Sequence, residues 1–367
     1  MTTTPTATTT AATSSTQQAI NLRSRELVTR LGKPPRLLLG LGAPEEKEVL
    51  SQQLTPDISD YYLTGLGVNT SWRGWNSPDG EYLQIRLREA ARMRAVPMFT
   101  VYQIASSGDG NLSVLNDVEF MRLYWADMHR LVTLLNAYDK PVILNIEPDF
   151  WGYTHRKNAD PNHHFAHVGA VYSECTNLGN SVAAMAQCMI FITKKYAPKA
   201  LIGFPPSGFE DLAATEVSYM RRLGAQNADF AVMQTGDRDA GCNEVGLAPC
   251  DRIKFPSRLY WDASNTKSPN FKEHLDAAAQ YSIGIGLPLL WWQVSLGVPS
   301  NQPGGKPGTF RDNKLDYFMA HTDQVIKAGG FGLVFGISFD SQTHIGSDGG
   351  QFQRLSRAYF ASPATLP

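Results

Sequence analysis

Short apolar runs alternate with amphipathic segments along most of this chain. From residue 35 onward, each apolar run is bounded by Gly or Pro and is followed by a stretch in which polar and apolar residues mix. Continuous apolar runs of this kind are typical of strands that are buried on both faces, as in a parallel sheet. The eight strands that the pattern predicts are 35–43, 60–68, 96–104, 141–149, 200–208, 228–236, 287–295 and 330–338.

The segments between these runs predict helices. Several of them end in Gly or Pro just before the next run, which is the usual stop signal of a helix. The predicted helices are 45–54, 82–95, 117–139, 181–198, 209–227, 271–284 and 314–330. Eight strands separated by helices predict one α/β domain, a (β/α)8 TIM barrel over residues 19–367. A doubly wound sheet is the main alternative, but the strand count and the polar residues at the strand ends favour the barrel.

The first eighteen residues, MTTTPTATTTAATSSTQQ, differ from the rest in composition. They are rich in Thr, Ala and Ser and have no apolar periodicity, so we expect a disordered tail or linker over residues 1–18. The segment lacks the basic and apolar regions of a signal peptide. No apolar run approaches the ~18 residues of a transmembrane helix, so no membrane span is expected.

Charge and cysteine content narrow the expected partners and compartment. The 33 basic and 34 acidic side chains among 367 residues nearly cancel, which gives no reason to expect nucleic acid or an anionic membrane as partner. Cys242 and Cys250 lie in one loop, GCNEVGLAPC, where a local disulfide is easy to form, and Cys175 and Cys188 are a possible second pair. Four free thiols are the alternative. The two possible cysteine pairs favour a secreted or periplasmic protein. The sequence does not indicate the oligomeric state.

The aromatic residues point to a carbohydrate cleft. Six of the seven tryptophans fall at or just after predicted strand ends, and only Trp125 lies in a predicted helix. Active sites of (β/α)8 barrels lie at the carboxyl ends of the strands. Aromatic rings there would stack on sugar rings, while amides and carboxylates would bond the hydroxyl groups. The residues predicted to bind substrate are Trp72, Arg73, Trp75, Tyr102, Asn145, Trp151, Tyr153, Asp239, Trp261, Asp262, Trp291, Trp292, Gln293 and Asp340.

The segment PVILNIEPDFWGY carries the sharpest chemical signal. In an extended strand Asn145, Glu147 and Asp149 would point to the same side, because side chains alternate with a period of two. Desolvation beside aromatic rings raises the pKa of a Glu, as a general acid near neutral pH requires. We therefore predict Glu147, Asp149 and Asp237 as the catalytic group. The alternative is that the two strand-four carboxylates only brace loops.

Three segments, ILNIEPDFWGY, WWQVSLG and FGISFDSQTH, resemble the TIM-barrel glycoside hydrolase superfamily over roughly residues 35–360, although no family can be assigned. The resemblance implies cleavage of a poly- or oligosaccharide, with Glu147 as the catalytic acid. Retaining members of the largest clan carry a nucleophilic Glu after strand seven, where this chain has Gln293. An inverting or substrate-assisted mechanism is therefore favoured. The candidates for the second carboxylate are Asp149, Asp237, Asp239, Asp262 and Asp340.

Two other functions compete with this hypothesis. His155, His163, His164 and His167 cluster after strand four, and the last three could hold a metal ion in a metal-dependent hydrolase. The loop is polar and lacks an HExxH helix, so neither a metal nor another cofactor is expected. A barrel with a Trp-lined cleft could also bind carbohydrate without cleaving it.

Overall fold

The computed structural model describes residues 7–207, 214–235, 239–247, 250, 260–298, 304–336 and 341–367. Eight parallel strands close into a barrel in chain order, so the predicted (β/α)8 fold and all eight predicted strands are confirmed. The strands are β1 (Leu38–Gly42), β2 (Ile58–Thr64), β3 (Val96–Tyr102), β4 (Val142–Ile146), β5 (Ala200–Phe204), β6 (Phe230–Gln234), β7 (Leu289–Val294) and β8 (Gly330–Gly336).

Helices surround the strands as the amphipathic segments predict. The predicted helix 314–330 is divided at His321, and the short helices α5 and α8 occupy the loops after β4 and β6. The helices are α1 (Ala7–Arg30), α2 (Glu46–Ser51), α3 (Glu81–Arg92), α4 (Val118–Tyr138), α5 (Phe150–Lys157), α6 (Val182–Tyr196), α7 (Ala214–Leu223), α8 (Ala240–Glu244), α9 (Phe271–Ile285), α10 (Lys314–Ala320), α11 (Thr322–Lys327) and α12 (Gln351–Ala361).

The first helix, α1, joins the barrel only through its later turns. None of the side chains of residues 15–19 is buried, and Ile20 is the first buried side chain that the structure describes. Further along, Leu27 and Val28 belong to the core, and Arg30 pairs with Asp229 at 3.0 Å. Packing against the barrel thus begins next to the predicted boundary at residue 19, while residues 7–18 are helical.

Two disulfides join the predicted cysteine pairs. Cys175, before α6, bonds to Cys188 in the middle of that helix, and Cys242 bonds to Cys250 in the loop after β6. Each bond closes a short loop, which stabilises a fold mainly by restricting the unfolded chain. Disulfides are typical of proteins in oxidising compartments.

No helix in the described part of the chain has both the length and the apolar character needed to span a membrane.

The barrel closes where β1 meets β8, and two glycines face each other at the carboxyl end of that seam. Gly42 is paired in register with Gly336. A Cβ atom on Gly336 would lie 2.7 Å from the Gly42 Cα and 2.9 Å from its nitrogen, whereas a Cβ on Gly42 would have its nearest neighbour at 3.3 Å. Main-chain atoms of a closed barrel have little room to move apart.

Replacing Gly336 by Ala is therefore expected to destabilise the barrel by about 2 kcal/mol, because the new methyl overpacks the seam. Gly42→Ala is the matched control at the same contact and should cost less than about 1 kcal/mol. Urea unfolding of both variants measures the difference in free energy of unfolding. Equal losses in the two variants would contradict this description of the seam.

Candidate active site

The carboxyl ends of the strands bring aromatic and polar side chains together at one mouth of the barrel. The Tyr62 ring of β2 lies 6.3 Å from the ring of Tyr102 and 5.9 Å from that of Trp292. Gln293 donates a hydrogen bond to the Tyr62 hydroxyl. Residues of β2, β3 and β7 thus form one aromatic wall, which includes three side chains predicted to bind substrate.

Asp60 forms a polar floor below this wall. Its carboxylate accepts hydrogen bonds from Trp292 Nε1 at 2.7 Å and from Thr100 Oγ1 at 2.9 Å, and Thr100 in turn accepts one from Asn145 Nδ2 at 3.3 Å. Burial raises the pKa of Asp60 to about 6, although these two donors act in the opposite direction. The network places Trp292 inside the barrel with its indole nitrogen fixed.

Several buried polar atoms near the mouth have no hydrogen-bond partner among the described residues. They are Asn145 Oδ1 in β4, Thr235 Oγ1 just after β6 and Ser295 Oγ just after β7. Buried polar groups are normally paired, and each exception calls for an explanation such as a bound water or ligand. All three residues are themselves buried, so a hydroxyl group reaches these atoms only after the side chains that cover them move.

At the rim, one tyrosine contacts two carboxylates. The Tyr102 hydroxyl lies 2.6 Å from Asp109 Oδ1 and 3.3 Å from Asp149 Oδ2. Burial and the two acidic neighbours raise the pKa of Tyr102, so it remains a neutral phenol. A phenol has only one proton to donate, and the shorter distance assigns it to Asp109. Asp149 is partly exposed and therefore reachable from solvent.

The structure changes the position predicted for Glu147, which is fully buried but lines the small cavity beside Asp149. β4 ends at Ile146, and Glu147 has a φ of 48°, so the period-two alternation stops before this residue. Its carboxylate is fully buried and accepts hydrogen bonds from the main-chain nitrogens of Gln103 and Ile104 at 3.1–3.2 Å. The Tyr124 hydroxyl of α4 is a further partner. Glu147 therefore braces two strand ends and does not face solvent.

Three predicted sugar-stacking tryptophans belong to the core instead. Trp72, Trp151 and Trp291 are each 0% exposed, so no sugar can stack on them in this structure. Alternation along β7 explains one of the three, because Trp292 points inward and Trp291 outward, where its Nε1 bonds to His274 of α9 at 2.8 Å. The Trp151 nitrogen bonds to the Ile146 carbonyl.

The charged groups of Arg73 and Asp262 already form ion pairs or hydrogen bonds within the protein. The Arg73 guanidinium pairs with Asp79 at 2.7 Å and with the buried Asp127 at 2.9 Å, so it holds the loop after β2 to α4. Asp262 accepts main-chain hydrogen bonds from Ser264, Thr266 and Lys267. These bonds lower the pKa of Asp262 and commit the carboxylate to its own loop. Neither prediction of substrate binding is supported by this geometry.

Asp239 is likewise buried, at 1% exposure, and accepts a hydrogen bond from the Thr343 nitrogen at 2.8 Å. Burial and the nearby charge of Asp312 raise its pKa. Asp312 itself contacts the buried Lys314 at 3.4 Å. This cluster ties the loops after β6, β7 and β8 together and is closed to substrate.

The remaining predicted residues fall into two groups. Trp75 is 45% exposed and packs edge-on against Tyr82, while Tyr153 and Trp261 are partly exposed. Asp237, predicted as catalytic, and Asp340, predicted to bind substrate, lie outside the described residues.

The histidine loop does not form a metal site among the described residues. No group of three or more His, Cys, Asp or Glu side chains in that part of the chain could hold a metal ion. His163 is exposed and contacts Asp160, and His155 contacts Glu216. Among the described residues, the hypothesis of a metal-dependent hydrolase therefore has no set of metal ligands.

Sequence reasoning missed Asp60, Tyr62 and Asp109. Asp60 and Tyr62 alternate in the predicted strand DYYLTGLGV, and this period-two pattern could have indicated that both point into the barrel. Asp109 lies in the loop SSGDG, whose path no local pattern specifies.

Backbone strain is concentrated at the mouth. Glu147, Asp149 and Gln293 have φ values of 48°, 67° and 53°, in the left-handed region that disfavours side chains. All three lie at or after the ends of β4 and β7. Strained residues of this kind cluster at functional sites.

Comparison with solved structures finds proteins with a similar barrel. An endo-1,4-β-D-mannanase from Thermotoga petrophila RKU-1 is 11% identical, with 89% of this chain and 99% of that chain covered and a TM-score of 0.50. A Cellulomonas fimi endo-β-1,4-mannanase double mutant is 12% identical, with 94% and 75% covered and a TM-score of 0.50. A Bacteroides ovatus GH5 xyloglucanase is 11% identical, with 85% and 67% covered and a TM-score of 0.50.

These structural neighbours are glycoside hydrolases with the TIM-barrel fold that the sequence resemblance implied, and at such low identity the likeness shows the fold alone. No protein-family model matches the sequence, and no curated protein is found to be similar to it.

The buried Glu147 gives a testable pH dependence of stability. Burial raises its pKa from 4.5 to about 8. Between these values the folded chain holds a proton that the unfolded chain has lost, so the contribution of Glu147 to stability falls as the pH rises through this window. Glu147→Gln removes the titration. The stability of the variant relative to wild type should therefore rise with pH, by up to about 1.4 kcal/mol per unit.

Urea unfolding at several pH values between about 5 and 8, which spans most of the interval between the two pKa values, measures this difference. Glu119→Gln, at a 65% exposed side chain in α4, is the control and should run parallel to wild type. Parallel profiles for Glu147→Gln would show that the carboxyl is not buried as described.

Proposed function

We propose that this protein is a glycoside hydrolase that cleaves a poly- or oligosaccharide at the mouth of the barrel. The observation that carries the proposal is the pairing of an aromatic wall with unpartnered polar atoms at the strand ends. Tyr62 and Tyr102 are partly exposed and offer faces on which sugar rings can stack. Asn145, Thr235 and Ser295 provide buried oxygens that hydroxyl groups would satisfy.

Asp149 is the carboxylate best placed to take part in the reaction. It is partly exposed, lies beside Tyr102 and belongs to a strained turn. Tyr102, Asp109, Glu147, Asp149 and Tyr153 help line a cavity of about 10 Å³, which is about the space of one water molecule. A water there could lose its proton to Asp149 as it attacks the anomeric carbon.

The proposed reaction is a single displacement. The water oxygen forms the new bond to the anomeric carbon, its proton goes to Asp149, and the bond to the glycosidic oxygen breaks. A second carboxyl group gives a proton to the leaving oxygen. Candidates for this acid are the previously predicted Asp237 and Asp340, because Asp60 is as deeply buried as Asp239. Glu147 is a positioning residue in this scheme, since it holds the chain next to Tyr102 and Asp149.

The two disulfides support the further proposal that the protein works outside the cytoplasm, where a polysaccharide substrate would be met.

Asp149→Asn tests the proposed function. Purified wild type is assayed on a polysaccharide panel that includes β-1,4-mannan and xyloglucan, and NMR identifies the anomer first released. We expect hydrolysis with inversion, and a loss of at least about 100-fold in kcat for the variant with KM little changed, because a proton-transfer group is removed while the binding wall remains.

Asp323→Asn is the matched control, since Asp323 is 63% exposed and pairs only with Lys327 among the ion pairs of the described residues. The Asp323→Asn variant should keep the turnover of wild type. The Glu147→Gln variant should keep part of that turnover. If Asp149→Asn is fully active while Glu147→Gln is inactive, the assignment of roles is wrong. If wild type binds oligosaccharides but cleaves none, the barrel is a carbohydrate-binding protein, a function that the burial of Glu147 favours as the second candidate.

A further inference from the structure

A second pocket opens at the seam of the barrel, on the side of the mouth formed by β1 and β8. Its volume is about 250 Å³, close to the lower limit of ligand pockets in proteins. Leu41, Pro44, Leu296 and Ile345 form its apolar wall, and Glu48 and His344 are its facing polar groups. None of these residues takes part in the site around Tyr102 and Asp149.

The hydrogen bonds of His344 indicate that this residue does not neutralise the Glu48 carboxylate in the pocket. Its Nδ1 accepts a hydrogen bond from the Gly346 nitrogen at 3.2 Å, so the proton of the neutral ring lies on Nε2. Glu48 Oε2 is 3.5 Å from the same Nδ1, and no proton lies between them in this tautomer. Within the described residues, the Glu48 carboxylate has no hydrogen-bond donor.

The other charges of the pocket do not compensate for Glu48. Glu45 also lines it and is exposed, and no Lys or Arg is among its described lining residues. The nearby cation Arg92 is occupied by Glu46. A ligand that fits this pocket therefore carries a positive group together with an apolar face.

We propose that the pocket binds an amino sugar unit, whose ammonium group pairs with Glu48 and whose C–H face packs on the apolar wall. His344 Nε2 would donate to a ring hydroxyl. The proposal rests on the proposed function and adds a substrate class to it, namely glycans that contain unacetylated amino sugars. Charge-assisted hydrogen bonds are stronger and more selective than neutral ones, so the preference should depend on the charge of the amine.

Calorimetric titration of the full chain with two matched trisaccharides tests this inference. One is the β-1,4-linked glucosamine trimer, and the other is the glucose trimer, which has a hydroxyl in place of each amine. At about pH 7 a Glu carboxylate is ionised and an ordinary imidazole is mainly neutral, while part of the sugar amine is still protonated. We expect the glucosamine trimer to bind at least tenfold more tightly, and Glu48→Gln to remove that preference while leaving the glucose trimer unaffected.

Glu119→Gln is the control and should keep the preference for the glucosamine trimer. The thermal unfolding midpoints of Glu48→Gln and Glu119→Gln show whether the two variants are folded. His344→Gln is a second variant, which should weaken both trimers if the imidazole donates to a hydroxyl group. Equal binding of the trimers, or a preference that survives in Glu48→Gln, would overturn the inference. If neither trimer binds, this inference fails. Hydrolysis of the polysaccharide panel by wild type decides the proposed function separately.

Discussion

The hydrogen bonds to the buried Glu147 carboxyl determine how the mouth of the barrel is built. They join the turn after β4 to the main chain of Gln103 and Ile104, immediately after β3. Tyr102 precedes this junction and Asp149 follows it by two residues, so both rim side chains depend on it for their positions. Removing a carboxyl that satisfies buried main-chain donors leaves those donors unpaired, at a cost of about 1–3 kcal/mol each.

A second constraint operates deeper in the barrel. Asp60 is buried with two side-chain hydrogen-bond donors and no cation among its described partners, and burial raises its pKa to about 6. Such a group is tolerated because Trp292 and Thr100 stabilise its charge. The same bonds orient Trp292 below Tyr62. The polar floor and the aromatic wall are therefore one unit, and the Asn145 oxygen beside them is buried with no hydrogen-bond partner among the described residues.

The sequence was sufficient for the fold because each strand had a continuous apolar run and several helices were followed by Gly or Pro. It was less informative about the site, for reasons visible in particular residues. Alternation predicted one side for Asn145, Glu147 and Asp149, but the left-handed turn at Glu147 ends the strand at Ile146. Tryptophan positions near strand ends did not distinguish a mouth-facing ring such as Trp292 from a helix-facing ring such as Trp291. Contacts across the barrel, such as Asp60 with Trp292, are separated by more than half the chain and leave no local pattern.

The proposed function requires that sugar binds on the Tyr62–Tyr102 wall with Asp149 at the reacting bond. A crystal structure of Asp149→Asn with an uncleaved oligosaccharide, from the substrate that wild type hydrolyses, tests it most directly. We expect a sugar ring on each tyrosine, with the side chain at position 149 next to the anomeric carbon or its water. Sugar bound elsewhere on the barrel would contradict this mode of binding. Direct contact between sugar and a Glu147 side chain that has become exposed would contradict it as well.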